Sequence, residues 1–293
     1  MTEFWRGCHG VAVDGADLGV GTFRGNPMVR GTLRYGDVAP GDGVRLWSQD
    51  GEAATLWRRD DGRLVLAGPT ATALEVDPGA TTVTVAPGDP VVQRQLVASF
   101  GLPLLLHGRK VLLLHGSACA RDGQAIVVCG DSGSGKSSTL VRLVDEGWES
   151  ISEDLCAVDL RGERPRVWPG PPWVRVAHGE SGPRGTARAF DSEDKTAWDV
   201  SARHAQQATE LTRIVLLEAP GGEEPVREAL ARADALRTLA RHAVWLEDPA
   251  DRGRRLFGAV AAVAAQVPAV GLRLPRSDEW LDSVPGLVTA AAT

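Results

Sequence analysis

Gly130-Asp131-Ser132-Gly133-Ser134-Gly135-Lys136-Ser137-Ser138 is the stretch of this chain with the clearest chemical purpose. The spacing G-x-x-x-x-G-K-S lets the backbone curl so that its N–H groups point inward at phosphate oxygens. Lys136 has the reach and charge for the β- and γ-phosphates, and the Ser137 hydroxyl can ligate Mg²⁺. The helix that follows, read over Thr139 to Val144, adds the positive end of its dipole. The expected ligand is a nucleotide phosphate with Mg²⁺, taken as ATP although the spacing does not select the base; a plain glycine-rich turn is the alternative.

Further groups follow from their place in the chain. Glu153-Asp154 stands between two apolar runs just after the glycine-loop unit. Two adjacent acids there can divide labour, one orienting or deprotonating an attacking hydroxyl and the other holding Mg²⁺. A solvated acidic turn is the alternative. Glu218 closes the apolar run Ile214-Val215-Leu216-Leu217 and ranks behind Asp154 as a metal contact. Lysine is rare here: Lys110, Lys136 and Lys195 are the three among 32 basic residues. Lys195 follows a stretch, 179–194, rich in Gly and charge, which reads as a mobile lid. Lys195 is expected to reach the phosphates when that lid closes, with solvated charge as the alternative.

The elements that must position these groups can be read nearby. Ala125-Ile126-Val127-Val128-Cys129 is a strand running into the loop, and Thr139 to Val144 continues as a helix ending near Gly147. A second strand, Val111 to Ala120, precedes it. Asp122-Gly123 between them predicts a tight antiparallel hairpin. Counting outward pairs Ala120 with Ala125 and Ala118 with Val127, which carries His115 to Gly130. His115 is therefore expected at the phosphates, against the blander reading of a structural histidine. Further on, 226–240 reads as one amphipathic helix, Leu256 to Ala264 as another, and 267–274 as a late strand.

Residues 1–88 read as a small β-rich domain of short strands and turns, with a hairpin around Asp61-Gly62 and a strand at Thr82-Val83-Thr84-Val85. Residues 89–293 form the second domain, opening on Asp89-Pro90 as N-cap and first helical residue. The fold class is α/β, a mixed sheet around the phosphate loop flanked by helices, with the small β domain appended.

The totals exclude several classes. A length of 293 residues with 43% hydrophobic and 24% charged content is that of a globular protein with a real core. A net charge of −6 argues against nucleic acid or an anionic membrane as partner. No window approaches the ~20 apolar residues of a membrane span. The start of the chain lacks the pattern of a signal peptide, so a cytoplasmic location is expected. Cys8, Cys119, Cys129 and Cys156 show no C-x-x-C spacing and read as buried reduced thiols rather than a zinc site.

The order His115-Gly116, glycine loop, Glu153-Asp154 resembles the C-terminal domain of the HPr kinase/phosphorylase family. Pro169 to Arg175 (Pro-Gly-x-Pro-x-x-Arg) and the ending Val267 to Arg276 are similar to the smaller HPr-kinase-related proteins of bacterial gene clusters. Among these are kinases that phosphorylate a serine of lasso-peptide precursors. The resemblance covers roughly 90–285. It implies His115 near the γ-phosphate, Lys136 and Ser137 on phosphate and Mg²⁺, Glu153 as base toward the acceptor hydroxyl, and Asp154 assisting at the metal. The family's usual pair is Asp-Asp, so Glu153 is a departure. The implied acceptor is a peptide or small natural-product precursor, and a homo-oligomer is compatible with the reading. A nucleotide-binding regulatory module without transfer activity and a small-molecule hydroxyl kinase are the competing readings.

Overall fold

The computed structural model describes residues 4–39, 42–48, 55–67, 73–106, 109–192, 194–219, 221–244, 249–275 and 278–290. The chain divides into two compact units, 1–109 with 245–253, and 110–244 with 254–293. The architecture is mixed α/β.

The first unit is a nine-stranded sheet. Its strands are β1 (Phe4–Cys8), β2 (Val11–Gly15), β3 (Thr22–Arg24), β4 (Val29–Tyr35), β5 (Val44–Ser48), β6 (Thr55–Arg58), β7 (Leu64–Ala67), β8 (Ala73–Asp77) and β9 (Thr82–Val85). The expected hairpin is β6–β7, with Thr55 opposite Ala67 and Arg58 opposite Leu64; Ala54 lies outside the described residues. Helix α1 (Pro90–Leu96) begins as its sequence predicts, the Asp89 carboxylate accepting from Val91 N at 2.7 Å. It belongs to this unit and does not open the second one. Gln93 donates to Ala86 O and Arg94 to Leu18 O, which ties the helix back to its own sheet. A further turn, α2 (Leu102–Leu104), is buried.

The second unit holds an eight-stranded sheet built from β10 (Val111–Arg121), β11 (Gln124–Gly130), β12 (Glu149–Ser152), β13 (Leu155–Asp159), β14 (Arg166–Trp168), β18 (Thr209–Leu217), β19 (Val226–Ala229) and β20 (Ala269–Arg273). The β10–β11 register is the counted one: Ala120 opposite Ala125, Ala118 opposite Val127, Gly116 opposite Cys129. Asp122 and Gly123 both take positive φ, 53° and 75°, the geometry of a two-residue hairpin turn. β11 runs parallel to β18, which is parallel to β20.

Alternation along β11 sorts the core into two layers. Ala125, Val127 and Cys129 face a cluster with Ala235 and Leu239 of α4 (Arg232–His242) and Val260 and Val263 of α5 (Pro249–Gln266). Ile126 and Val128 face Leu140, Leu143 and Val144 of α3 (Lys136–Asp145), with Val284 and Val288 at α6 (Val284–Thr289). A sheet covered on both faces explains why its central strands read as unbroken apolar runs. The four cysteines are buried free thiols.

Two readings of the sequence are corrected here. The stretch 226–240 is not one helix: Val226–Ala229 pairs antiparallel with β20, and α4 starts only at Arg232. Residues 179–194 are not a loose lid. Within them, Ala187–Asp191 form β16, the edge of a three-stranded antiparallel sheet in the order β15 (Trp173–Ala177), β17 (Lys195–Asp199), β16. Trp173 and Phe190 stack edge to face there, with centroids 5.4 Å apart.

Candidate active site

The glycine loop joins β11 to α3. Gly133 and Gly135 carry φ of 77° and 95°, which L side chains rarely adopt. Gly130 is required for space instead: a Cβ there would fall 2.8 Å from the Leu217 carbonyl oxygen and 2.4 Å from Ser134 Oγ. Ser134 itself is buried, and its hydroxyl meets no partner among the described residues. Lys136 spans the curl, its Nζ donating to Gly130 O at 2.8 Å and Asp131 O at 3.0 Å. Ser138 follows in the first turn of α3, whose C-terminus closes at Gly147 as expected, with Trp148 N donating to Leu143 O. Asp131 and Ser132 are exposed at the loop's outer face.

The acid pair lies beside this loop. Ser137 Oγ donates to Glu153 Oε1 at 3.1 Å, and the Glu153 side chain is only 3% exposed. Asp154 takes φ 74°. That left-handed residue is the bend that lets consecutive side chains converge, where an extended chain would send them to opposite faces. Both carboxylates reach one guanidinium: Arg175 Nε donates to Glu153 Oε2 at 3.1 Å and Nη2 to Asp154 Oδ2 at 2.7 Å. Burial pushes the Glu153 carboxyl above the ordinary range, against the pull of Arg175. Burial works the same way on Asp154, but Arg175 and His115 outweigh it and hold that carboxyl low. Asp154 is the more open of the two, with its side chain 34% exposed.

His115 Nδ1 stands 3.3 Å from Asp154 Oδ1. Its ring is shifted down by burial, with Asp154 opposing and Lys136 reinforcing. Lys195 Nζ lies 4.0 Å from Glu153 Oε1 with no closure needed, because β17 carries it there. Arg175 lies opposite Ala197 and Ala177 opposite Lys195, so alternation puts both cations on one face of the small sheet. His115, Lys136, Ser137, Glu153, Asp154 and Lys195 are thus gathered in one place. Glu218 is engaged elsewhere, paired with Arg273 at 2.9 Å.

Arg175 is the residue whose importance the sequence hides. Its partners precede it by two strands, β13 and β14; the sequence marks it as the close of Pro169 to Arg175 and by the alternation Trp173, Arg175, Ala177 against buried Val174 and Val176, neither of which points to the acids. Of the ending similar to HPr-kinase-related proteins, Arg276 lies outside the described residues.

Chemically, the site offers a curl of backbone donors with one lysine, a hydroxyl paired with a buried carboxylate, and a second, more open carboxylate beside a histidine. Among the described residues no three His, Cys, Asp or Glu side chains converge as a metal cage. Two oxygen donors beside the glycine loop do suit Mg²⁺, which takes one or two carboxylates and fills its sphere from water and other oxygen ligands.

No protein-family model matches the chain, and no curated protein matches it. Among solved structures, the Hpr(Ser) kinase/phosphatase from Coxiella burnetii is similar at 11% identity, with 60% of this chain and 87% of that chain covered and a TM-score of 0.33. A likeness of that size leaves the function to be read from the geometry of the site itself.

Proposed function

We propose that the chain is an ATP- and Mg²⁺-dependent kinase that transfers a phosphoryl group to a hydroxyl, a serine of a peptide or a small natural-product precursor. The observation that carries this is the convergence beside the glycine loop of two differently housed carboxylates, Glu153 on Ser137 and Asp154 beside His115. Phosphoryl transfer needs little covalent help from a protein, only positioning and charge neutralisation. Ser137 and Glu153 are the residues that would hold Mg²⁺, which when bound neutralises charge on the β- and γ-phosphates. Lys136 holds the phosphates. Asp154, partly exposed and kept ionised, orients the acceptor O–H and takes its proton as the oxygen–phosphorus bond forms and the bond to the ADP oxygen breaks. This division is the reverse of the one the family resemblance implies, and it follows from which acid touches Ser137. The acceptor class and the cytoplasmic setting rest on the resemblance and on composition.

The test is transfer of label from γ-labelled ATP to a panel of hydroxyl-bearing peptides and small molecules, with Lys136→Ala as control. Acceptor-dependent labelling lost in that variant supports the kinase. The competing reading, a nucleotide-binding regulatory module, draws on one observation: Arg175 engages both carboxylates at once. Nucleotide binding with no transfer to any acceptor favours that module.

A further inference from the structure

The last turn of α4 comes from far along the chain to the mouth of the glycine loop. Arg241 Nη2 lies 3.5 Å from Asp131 Oδ2, and both side chains are largely exposed. The next residue, His242, is buried. Its ring is within electrostatic range of Asp131, His115 and Lys136. The chain beyond is pinned to the strand that carries His115: Ala243 bridges Leu114, and Val244 N donates to Leu113 O at 2.8 Å. Ala235 and Leu239 anchor the same helix in the core. Basic residues in a last helical turn are commonly accounted for by the helix's own dipole. That account explains neither the burial of His242 nor the pinning of the chain beside His115.

The position suits a terminal phosphate. A guanidinium fork matches phosphate oxygens with paired donors and stays charged throughout the reaction. An exposed ion pair such as Arg241–Asp131 contributes little, so Arg241 leaves it at small cost. We propose that Arg241 is a further catalytic residue of this site. When nucleotide enters, its guanidinium exchanges Asp131 for the terminal phosphoryl group, and His242 is the positioning residue that fixes the end of α4. This rests on reading 130–138 as a phosphate loop.

The experiment compares the full-length parent with Arg241→Ala and Arg241→Lys by calorimetric titration with ADP·Mg²⁺ and with a non-hydrolysable ATP analogue·Mg²⁺. Arg241 is exposed, so its replacement leaves the fold in place. The alanine variant is expected to bind the analogue about ten- to a hundredfold more weakly, the weight of one charge-assisted hydrogen bond, with ADP affinity unchanged. Transfer in that variant is expected to fall on the order of 10³-fold, the low end for an arginine supplied to a transferring phosphate. The lysine variant should recover analogue binding more than rate, since a point charge does not reproduce the fork. Equal weakening toward both nucleotides, or none toward either, overturns the role of Arg241 while leaving the phosphate-loop reading standing. A parent that binds neither ligand overturns both.

Discussion

His115 Nδ1 and Asp154 Oδ1 lie 3.3 Å apart because β10 and β13 pair with His115 opposite Leu155, the residue after Asp154. If Asp154 receives the acceptor proton, Asp154→Asn should lower transfer about 10²–10⁴-fold, the usual weight of a general base. Nucleotide affinity should be nearly unchanged, since Asp154 is not the acid on Ser137. Single-turnover rates beside calorimetric affinities separate the two. A silent Asp154→Asn removes the acid from the chemistry.

Glu153→Gln is expected to act on the metal. With the carboxylate at Ser137 neutralised, Mn²⁺ binding in the presence of nucleotide, followed by electron paramagnetic resonance, should weaken together with transfer. Normal metal affinity with lost transfer would restore Glu153 as base and return the roles to those the family resemblance implies.

Lys136→Ala removes the cation that now holds Gly130 O and Asp131 O. Transfer should be abolished and ATP affinity should drop, with the far-ultraviolet circular dichroism of the parent retained. Undiminished labelling of acceptor would remove the kinase reading.

Arg175→Met strands two carboxylates, one of them deeply buried. Removing one partner of a buried pair costs roughly 3 kcal/mol or more, and the open side of Asp154 keeps this case near the lower figure. In a double-mutant cycle with Glu153→Gln, the double variant should be more stable than additivity predicts, as read from urea midpoints. Strict additivity would show that the Arg175–Glu153 pair contributes nothing to folding.

His204 offers a stability test outside the site. It is fully buried, its Nε2 donating to Gly170 O at 3.0 Å, and burial pushes its pKa down to about 4 from an ordinary 6.5. The unfolded chain then binds a proton that the folded chain refuses, so stability falls as pH drops through 6.5 toward 4. The loss amounts to about 3 kcal/mol from this group alone. Urea unfolding between pH 7 and 4 should show it, and His204→Gln should flatten that part of the profile. An unchanged slope in the variant would assign the acid sensitivity to other groups.

What the sequence disclosed was local. Asp122-Gly123 fixes a turn whose two residues need positive φ, and from it the whole β10–β11 register follows by counting. The cap at Asp89 and the stop at Gly147 were legible for the same reason. Long-range partners were not. Arg175 meets acids on the far side of two strands, and Arg241 meets the loop from a helix whose first turn had been merged with a strand. Nor does any local signal mark Asp154 as left-handed, since aspartate tolerates that conformation without requiring it. Within the small sheet at 173–199, β16 hid behind a high content of Gly and charge, because it exposes most of its side chains and shows little alternation.

The close approach of Gly130 to Leu217 sets an order of events during synthesis. The floor under the loop is a carbonyl from β18, which leaves the ribosome well after the loop, its lysine and both acids have emerged. Until then β11 has an open edge on that side and the curl has nothing to rest on. A nascent chain halted before Thr209 should therefore carry every residue of the motif and still hold no phosphate, and competence should arrive abruptly once β18 slots in parallel beside it.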